Sequence, residues 1–477
     1  MTHYHLIGIA GTAMGSLAGL LRDKGHRVTG SDEGVYPPMS TLLDDLGIAY
    51  ARRFDPANLM PVPDRVVVGN AISRGNVELE AMLDRRLPYA SAAHTLKEEF
   101  LRGRHVLAVA GTHGKTTTAS LLAWLLESAG LAPSFLIGGV AENFGTSFRL
   151  TDSDLFVVEA DEYDTAYFDK GPKMWHYLPW TAVVTNVEFD HADVFRDEAA
   201  YRFAFERFVN LVPRTGTLVL GWEGEVERSL AERSFAPVES YALAQGDEMP
   251  GAGSDPSHPR WLATDVEHGP EGTAFTVHHD GRLMGRVETP LAGAFNARNC
   301  LGALAAATAV GARWEGLAEG LRVFRSVRRR MEIRGEARGV TVIDDFAHHP
   351  TAVRETLAAA RTHFRGRRLV AVFEPRSYSA QLREFQEPFR RALAGADRVI
   401  VAGLFHPERY DEVTGMDPQG LVDALRSDGV EADHIPAVDG IVEAVAEGAR
   451  PGDVVLVMSN GGFGGIHARL LEAMAVR

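Results

Sequence analysis

VLAVAGTHGKTTT, at residues 106–118, joins an apolar run, a glycine turn and the beginning of a helical pattern. Residues 106–110 are typical of a buried parallel strand, and residues 117–128 have the apolar spacing of a helix. A glycine turn at a helix N-terminus presents backbone N–H groups to an anion, and the helix dipole favours negative charge there. Lys115 would neutralise a phosphate, and the Thr116 hydroxyl would hold Mg²⁺. The stretch predicts a phosphate-binding loop, with an ordinary turn carrying a surface lysine as the alternative.

The spacing of this loop differs from the usual phosphate-loop pattern, G-x-x-x-x-G-K-[ST]. Val109 stands where the first glycine of that pattern would be, so the spacing here is G-x-x-G-K-T. The predicted nucleotide-binding residues of the loop are Gly111, Thr112, His113, Gly114, Lys115, Thr116 and Thr117.

Length and composition limit the class of protein. A chain of 477 residues predicts roughly three domains. The net charge of −15 argues against a nucleic-acid-binding surface. The single cysteine, Cys300, excludes an intrachain disulfide and fits a reducing compartment. The sequence contains no apolar run long enough to span a bilayer and no basic N-terminal leader. We therefore expect a cytoplasmic protein with small-molecule partners, monomeric or weakly dimeric.

Two basic joints divide the chain, LRGRH at residues 101–105 and SVRRRMEIRG at residues 326–335. We place the domains at residues 1–103, 104–324 and 325–477. Basic runs are usually solvated, but the second joint could instead deliver an arginine to a phosphate site when domains close.

The first segment begins with a βαβ pattern containing Gly8, Gly11 and Gly15, with Asp32 after the next strand. A glycine turn of this kind can approach a phosphate, and the acid can bind a ribose hydroxyl. The spacing is not G-x-G-x-x-G, so tight helix–strand packing is the alternative.

The central segment has acidic sequences after two apolar strands. EADEYD follows residues 155–158, and NVEFDH follows residues 181–185. Carboxylates at such strand ends suit Mg²⁺, and we favour Glu159 over Asp161 as the ligand. His191 is either a metal ligand or a polar turn residue, and its position in the sequence does not decide between them.

Later in this segment, residues 245–259 predict an exposed loop, and residues 273–287 predict a hairpin around an Asp-Gly step. We expect His278 and His279 in this hairpin to be solvated. Asn296 and Asn299 share a helix face, where they could bind an adenine edge or cap the helix.

The third segment alternates strands with helices, which predicts a second open α/β sheet. Its strands, near residues 340–343, 369–373, 399–401 and 454–458, include three that end in polar loops. These loops, DDFAHHP, FEPRSYS and MSNGGFGGIH, should converge because ligands gather outside the carboxyl ends of parallel strands. Arg376 in the second loop is a candidate for binding a carboxylate, which suits a guanidinium fork.

Together these motifs resemble the Mur ligase family, ATP-dependent amino-acid ligases of cell-wall precursor synthesis. GTHGKTTT, EADEYD, NVEFDH, FNARN, RRRME and DDFAHHP stand in the family's order, and the resemblance covers essentially the whole chain. It implies an α/β fold of three domains. These are a Rossmann-like UDP-binding domain, a central P-loop ATPase-like parallel sheet with a small antiparallel appendage, and a C-terminal Rossmann-like domain that binds peptide.

Two branches of the family are relevant. The N-terminal glycine-rich stretch and DDFAHHP are similar to the branch that adds L-alanine to UDP-N-acetylmuramate. GSDEGVYPPMSTLL and MSNGGFGGIH are similar to the branch that adds the tripeptide L-alanyl-γ-D-glutamyl-meso-diaminopimelate during murein recycling. The resemblance implies the second activity, with the first as the alternative.

The family's functional residues are carried over onto matching positions. On the nucleotide side they imply Lys115 and Arg330 at the ATP phosphates, Thr116 with Glu159 at a first Mg²⁺, His191 at a second, Asn296 and Asn299 near adenine, and Asp345 with His348 at the nucleotide. On the UDP-sugar side they imply Gly8, Gly11, Thr12, Gly15, Ser31, Asp32 and Ser73.

Three positions depart from the family pattern. Phe295 and Phe346 replace a His and a Tyr, which puts ring contacts to ATP in doubt there. Some relatives use a carbamoylated lysine near the second metal, and Glu206 falls at about that position.

The implied chemistry is activation of the muramoyl carboxylate by ATP to an acyl phosphate, followed by attack of an amine. Lys115, His191, Arg330 and His348 are the predicted catalytic residues. A nicotinamide-dependent dehydrogenase and a non-catalytic nucleotide-binding switch are alternatives from other classes, and GKTTT argues against the first.

Overall fold

The computed structural model describes residues 1–37, 39–192, 194–245, 258–411 and 413–476. Three sheets follow one another along the chain, each flanked by helices, so the predicted α/β class is confirmed. The predicted loop at residues 245–259 falls almost entirely outside the described residues. Among these residues we find no helix whose length and apolar content would let it cross a bilayer.

The first sheet and its helices occupy residues 3–96. The elements are β1 (His3–Ile7), α1 (Thr12–Asp23), β2 (Arg27–Ser31), α2 (Met39–Asp45), β3 (Ala49–Ala51), β4 (Arg65–Val68), α3 (Val77–Asp84), β5 (Tyr89–Ser91) and α4 (Ala92–Leu96). The strand order is β3-β2-β1-β4-β5, and all neighbouring pairs are parallel. Leu6 packs with Leu17 of α1, while Ile7 packs with Leu79 of α3. Alternate side chains of β1 therefore bury against helices on both faces.

The second sheet has ten strands. The elements of this part are β6 (His105–Ala110), α5 (Lys115–Ser128), β7 (Ser134–Ala141), β8 (Thr146–Arg149), β9 (Leu155–Glu159), β10 (Asp164–Ala166), β11 (Asp169–Pro172), β12 (Thr181–Val184), α6 (Glu198–Val209), β13 (Thr217–Gly221), α7 (Glu225–Ala231), β14 (Val238–Leu243), β15 (Trp261–Gly269), β16 (Gly272–His279), β17 (Arg282–Thr289), α8 (Ala294–Ala309) and α9 (Trp314–Arg322). The order is β17-β16-β15-β14-β13-β12-β6-β9-β7-β8, and β10 pairs only with β11. The strand that leads into the phosphate loop, β6, lies between β12 and β9 and is parallel to both.

The predicted hairpin is present as β16 and β17, which pair antiparallel. These strands form the predicted antiparallel appendage, and they continue the central sheet, because β15 pairs antiparallel with β16 on one side and parallel with β14 on the other. The expectation that His279 is solvated was wrong. Its ring stacks on buried Trp261, with 4.2 Å between ring centroids, and Nε2 lies 3.1 Å from Glu239 Oε2.

The third sheet begins after α9. Its elements are β18 (Glu332–Ala337), β19 (Val340–Asp345), α10 (Pro350–His363), β20 (Leu369–Phe373), α11 (Gln386–Leu393), β21 (Arg398–Val401), α12 (Pro418–Ser427), β22 (Glu431–His434), α13 (Val438–Gly448), β23 (Val454–Met458) and α14 (Ile466–Val476). The order is β18-β19-β23-β20-β21-β22, with β18 antiparallel and the remaining pairs parallel.

The three polar loops of this sheet converge, as the sequence predicted. Their strands β19, β23 and β20 are direct neighbours, so the carboxyl ends meet at one edge. The Ser459 amide donates to the Asp345 carbonyl at 3.1 Å, and the Ser459 hydroxyl donates to Glu374. One residue of each loop therefore enters a single hydrogen-bonded group.

Gly114 and Gly130 flank α5 and offer a matched test of the phosphate loop. Both have a left-handed φ, +80° at Gly114 and +79° at Gly130. A Cβ at Gly130 would meet nothing within 4 Å, whereas one at Gly114 would lie 2.4 Å from Asn299 Oδ1.

We expect Gly130→Ala to lower the free energy of unfolding by about 1 kcal/mol through left-handed strain alone. Gly114→Ala should lower it by a further ~1–3 kcal/mol, because the packed Asn299 amide must move. Urea unfolding of both variants measures the difference, and equal losses would contradict it.

Candidate active site

The phosphate loop connects β6 to α5 and is fixed by the end of β12. The Thr112 and His113 amides donate to the carbonyl and side-chain oxygens of Asn186, each at 2.9 Å. Gly111 has φ +137°, and a Cβ there would lie 2.0 Å from Thr185 Oγ1. Only a glycine therefore allows the loop to pack this closely against β12, with the N-terminus of α5 beyond it.

Lys115 and His191 share one buried carboxylate, Glu162. Lys115 Nζ lies 2.8 Å from Glu162 Oε2, and His191 Nε2 lies 3.0 Å from Glu162 Oε1. The Glu162 side chain is fully buried. Burial would raise the pKa of Glu162, but Lys115 and His191 outweigh it and lower the pKa to about 2. Burial would likewise lower the pKa of His191, but Glu162 and Asp190 outweigh it and raise the pKa.

Glu162 is the residue that sequence reasoning missed. It is the third acid of EADEYD, after Glu159 and Asp161. An acidic run behind a buried strand was the available signal, but it could not show which of its acids pairs with Lys115 and His191. Asp161 instead pairs with Lys173 at 3.2 Å and is half-buried.

Thr116 and Glu159 form the predicted oxygen site. Thr116 Oγ1 donates to Glu159 Oε1 at 2.8 Å, and the Gly138 amide donates to Glu159 Oε2 at 2.7 Å. Burial raises the pKa of Glu159, and the Gly138 amide and the charge of Lys115 oppose this only in part. A hydroxyl and a carboxylate are hard oxygen donors, so this pair fits Mg²⁺.

His191 is held in place by its own backbone. It adopts a left-handed φ of 57°, and its amide donates to Asp190 Oδ1 at 2.7 Å. Asp190 Oδ2 lies 4.0 Å from His348 Nε2, across the boundary between the second and third sheets. The charges of His191 and His348 counter the effect of burial and lower the pKa of Asp190.

His348, in the loop between β19 and α10, is the histidine of the third sheet that lies next to Asp190. Its Nδ1 lies 2.9 Å from the Phe346 carbonyl oxygen, so Nδ1 carries the proton of the neutral ring. Burial lowers the pKa of His348 to about 4. Its Nε2 is therefore an unprotonated acceptor at neutral pH.

Arg330 lies in the joint between the second and third sheets. Its guanidinium carbon is 5.0 Å from the centroid of the Phe346 ring. Burial lowers the pKa of Arg330, while Asp345 and Glu159 oppose this as the nearby negative charges. Asp345 is buried and accepts from the Met331 and Ala347 amides, each at 2.8 Å, so it also fixes the backbone on either side.

The joint between the second and third sheets forms backbone hydrogen bonds with both of them. Its first part joins the second sheet, because the Arg328 amide donates to the Val140 carbonyl and the Glu142 amide to that of Ser326. Its last part joins the third sheet, because the Phe346 amide donates to the Arg329 carbonyl. The change from one body to the other falls within residues 328–330.

Asn296 and Asn299 lie beneath the phosphate loop. Asn299 Nδ2 donates to Asn296 Oδ1 at 3.2 Å, and Asn296 Nδ2 donates to the Ala292 carbonyl at 2.8 Å. Both side chains are buried, and Asn299 packs on Gly114. The structure thus places Asn299 against the phosphate loop, with Asn296 hydrogen-bonded to it.

The predicted UDP-sugar residues fall into two groups. Asp32 accepts from the Ala10 amide at 2.9 Å, so it closes the glycine turn in which Gly8 has a left-handed φ of +86°. Three of the predicted residues are exposed to solvent: Gly11 and Thr12 near this turn, and Ser73 in the loop after β4.

Gly15 and Ser31 are placed differently. Gly15 is buried, and a Cβ there would lie 2.3 Å from Met39 Cε, so it serves packing against α2. Ser31 is fully buried and donates to Glu78 at 2.8 Å. Glu78 also lies 2.6 Å from His5 Nε2. The structure therefore shows both residues supporting the turn from within the protein, and their predicted place at the UDP group stays a prediction.

Arg376 and Glu206 complete the predicted positions. The Arg376 guanidinium lies 3.6 Å from the Phe405 ring centroid and 3.6 Å from Glu374 Oε1. Glu206 pairs with Arg202 at 3.4 Å along α6. It lies about 140° around α6 from Tyr201, whose hydroxyl contacts Glu162, since each residue turns a helix by about 100°. The structure does not bring Glu206 to His191.

Three family models match successive parts of the chain. They are the Mur ligase family catalytic domain at residues 3–104, the Mur ligase middle domain at residues 109–307, and the Mur ligase glutamate ligase domain at residues 329–461.

Similar proteins extend this over the full length. The UDP-N-acetylmuramate–L-alanyl-γ-D-glutamyl-meso-2,6-diaminoheptandioate ligase of Escherichia coli is 44% identical over 473 residues, 99% of this chain and 98% of the relative. The UDP-N-acetylmuramate–L-alanine ligase of Roseiflexus is 36% identical over 96% of each chain. A crystal structure of a murein peptide ligase from Psychrobacter arcticus is 36% identical, with a TM-score of 0.74, covering 100% of this chain and 99% of that one.

Glu162→Gln tests the shared carboxylate. It keeps the shape of the side chain but leaves buried Lys115 and His191 facing an uncharged group, so we expect a loss of roughly 3–5 kcal/mol in unfolding free energy. Asp161→Asn, which weakens a more exposed pair with Lys173, should cost about 1 kcal/mol or less. Urea unfolding without nucleotide compares the two, and losses of similar size would refute this role for Glu162.

The lowered pKa of His348 predicts a pH dependence of stability. Because the folded pKa is about 4 and the unfolded value is 6.5, protonation favours unfolding. The contribution of His348 is present above pH ~6.5 and is lost as pH falls through ~4. The apparent unfolding temperature should therefore fall less over this range in His348→Asn, whose amide can still donate to the Phe346 carbonyl. If the unfolding temperatures of the variant and the wild type fell equally with pH, this role of His348 would be contradicted.

Proposed function

Since this chain belongs to the Mur ligase family, we propose that it joins L-alanyl-γ-D-glutamyl-meso-diaminopimelate to the carboxylate of UDP-N-acetylmuramate, using ATP. The reaction forms one amide bond and serves peptidoglycan recycling. The observation that carries the choice of tripeptide is the full-length similarity to the E. coli ligase of that name.

ATP binds at the loop of residues 111–117. Backbone amides at the start of α5 face the phosphates, and the helix dipole favours their charge. Lys115 is already at this position, held by the Gly111 carbonyl at 2.5 Å and by Glu162. The lysine is thus oriented before the nucleotide arrives, which lowers the cost of ordering its side chain on binding.

The first step transfers the γ-phosphate of ATP to the muramoyl carboxylate, giving an acyl phosphate and ADP. Both reacting oxygens are anionic, so positive charge and positioning supply the catalysis. Lys115 from the second sheet and Arg330 from the joint provide two fixed cations. Phe346 supports the planar face of Arg330 and holds it in the site.

Mg²⁺, when bound, screens the phosphate oxygens from the attacking carboxylate. We infer one ion at Thr116 and Glu159, where the oxygen donors fit it. A second ion at His191 would require its imidazole to give up the bond to Glu162.

In the second step the peptide amine attacks the acyl carbon, and phosphate leaves. The amine must lose a proton, and neutral His348 can accept it at Nε2. Asp190 lies beside that atom and stabilises the imidazolium that forms. His348 is therefore our candidate general base.

The two substrates approach from opposite sides of this centre. We place the UDP group at the glycine turn closed by Asp32 and a peptide carboxylate at Arg376. Phe405 and Glu374 hold the guanidinium at the edge of the third sheet, where three polar loops meet.

The alternative acceptor is free L-alanine, because a ligase for it is also similar over nearly the full length. A non-catalytic nucleotide switch is the remote alternative, and the acid and histidine groups around Glu162 argue against it.

A ligation assay with UDP-N-acetylmuramate, ATP and either acceptor separates these functions. We expect a kcat/KM for the tripeptide roughly 10- to 100-fold above that for L-alanine, the value of one charged hydrogen bond to the longer acceptor. Lys115→Ala should lower kcat by about 10²–10³. Lys170→Ala, which removes an exposed lysine paired with Asp164, is the matched control and should behave as wild type. Preference for L-alanine would establish the alternative, and no product with either acceptor would reject both.

A further inference from the structure

Three metal-ligating side chains meet at the boundary between the second and third sheets, outside the proposed steps of the reaction. His113 belongs to the phosphate loop, Glu188 follows β12, and His349 precedes α10. One ligand atom from each lies within 4.8 Å of the other two. The two imidazole rings are 4.7 Å apart between centroids, so both face the same carboxylate.

The spacing of these atoms suits a tetrahedral ion. His113 Nε2 lies 2.9 Å from Glu188 Oε2, and His349 Nδ1 lies 3.6 Å from the same oxygen. Metal bonds of about 2.0–2.1 Å at tetrahedral angles place ligand atoms about 3.3 Å apart. The two distances bracket this value, and side-chain rotations that also release His349 Nδ1 from the Thr351 amide, which donates to it at 3.4 Å, would complete the geometry.

We propose that His113, Glu188 and His349 form a site for a divalent transition metal such as Zn²⁺, separate from the oxygen site of Thr116 and Glu159. Two imidazoles and one carboxylate are the donors that zinc takes, whereas Mg²⁺ prefers oxygen alone. Three protein ligands leave a fourth position for water or an anion.

The surroundings provide room for that fourth ligand. Glu188 and His349 line a cavity of about 360 Å³, which Arg354 and Arg391 also line. The arginines favour an anion such as chloride or phosphate at the open position. Glu188 is half-buried, so an ion can enter from solvent.

A metal here would join the second sheet to the third. His113 and Glu188 are fixed to the former by the Asn186 and Thr112 hydrogen bonds, while His349 begins a helix of the latter. The ion would therefore act as a tie between the phosphate loop and the domain that carries His348. This site does not depend on the ligase assignment.

Titration of the full chain with Co²⁺, in excess Mg²⁺ and without ATP, tests the site. We expect one equivalent to bind with the strong visible absorption of tetrahedral Co²⁺, and Zn²⁺ to displace it. His349→Ser keeps a residue that caps α10 but removes the imidazole, and Glu188→Gln removes the carboxylate. Each should weaken binding at least tenfold. His406→Ala, at an exposed His–Glu pair, should leave it unchanged.

Thermal unfolding with and without Zn²⁺ is a second test of whether the ion stabilises the fold. Zn²⁺ should raise the apparent unfolding temperature of the wild type but not of His349→Ser. A wild type that shows no tetrahedral Co²⁺ spectrum, or a spectrum that survives in His349→Ser, would overturn the proposal. Without a tetrahedral spectrum, His113 and Glu188 would be only a hydrogen-bonded pair. A spectrum that survives in His349→Ser would mean that the ion binds at other residues.

Discussion

The ion pair between Lys115 and Glu162 is buried, and the arrangement of the candidate site depends on it. An unpaired charge at this depth would be costly, so each group requires the other. Glu162 also holds His191 with its other carboxylate oxygen. Asp190, the residue before His191, lies next to His348 of the third sheet. A carboxylate with no surface exposure thereby orients one group from a glycine loop and one from the segment that follows a neighbouring strand.

Local patterns in the sequence were enough to predict the elements around this pair. VLAVAGTHGKTTT predicted an apolar strand, a glycine turn and a helix, and the structure contains β6, the phosphate loop and α5 at these positions. The convergence of three polar loops followed from parallel topology, because neighbouring strands place their carboxyl ends together. The roles predicted for Asn296 and Arg376 stay predictions.

What could not be predicted depends on partners distant in the chain. Glu162, Glu159 and Asp161 look alike in the sequence, and only the fold shows that Glu162 is the acid that pairs with both Lys115 and His191. The hydrogen bond from the Ser31 hydroxyl to buried Glu78 was also not predicted. His279 was expected in solvent, but Trp261 on the adjacent strand covers its ring. Each of these outcomes requires the register of two strands or the packing of two helices, which short motifs do not contain.

The joint at residues 328–330 also determines how the third domain can move. One end is hydrogen-bonded to the second sheet and the other to the third, so any rotation turns about this short segment. In a rigid rotation each point moves in proportion to its distance from the axis. Arg330 lies on the pivot and is almost stationary, while β22, at the opposite edge of the third sheet from β18, travels much further. A rotation of the third domain can thus move its outer strands widely while Arg330 keeps its place between the second and third sheets.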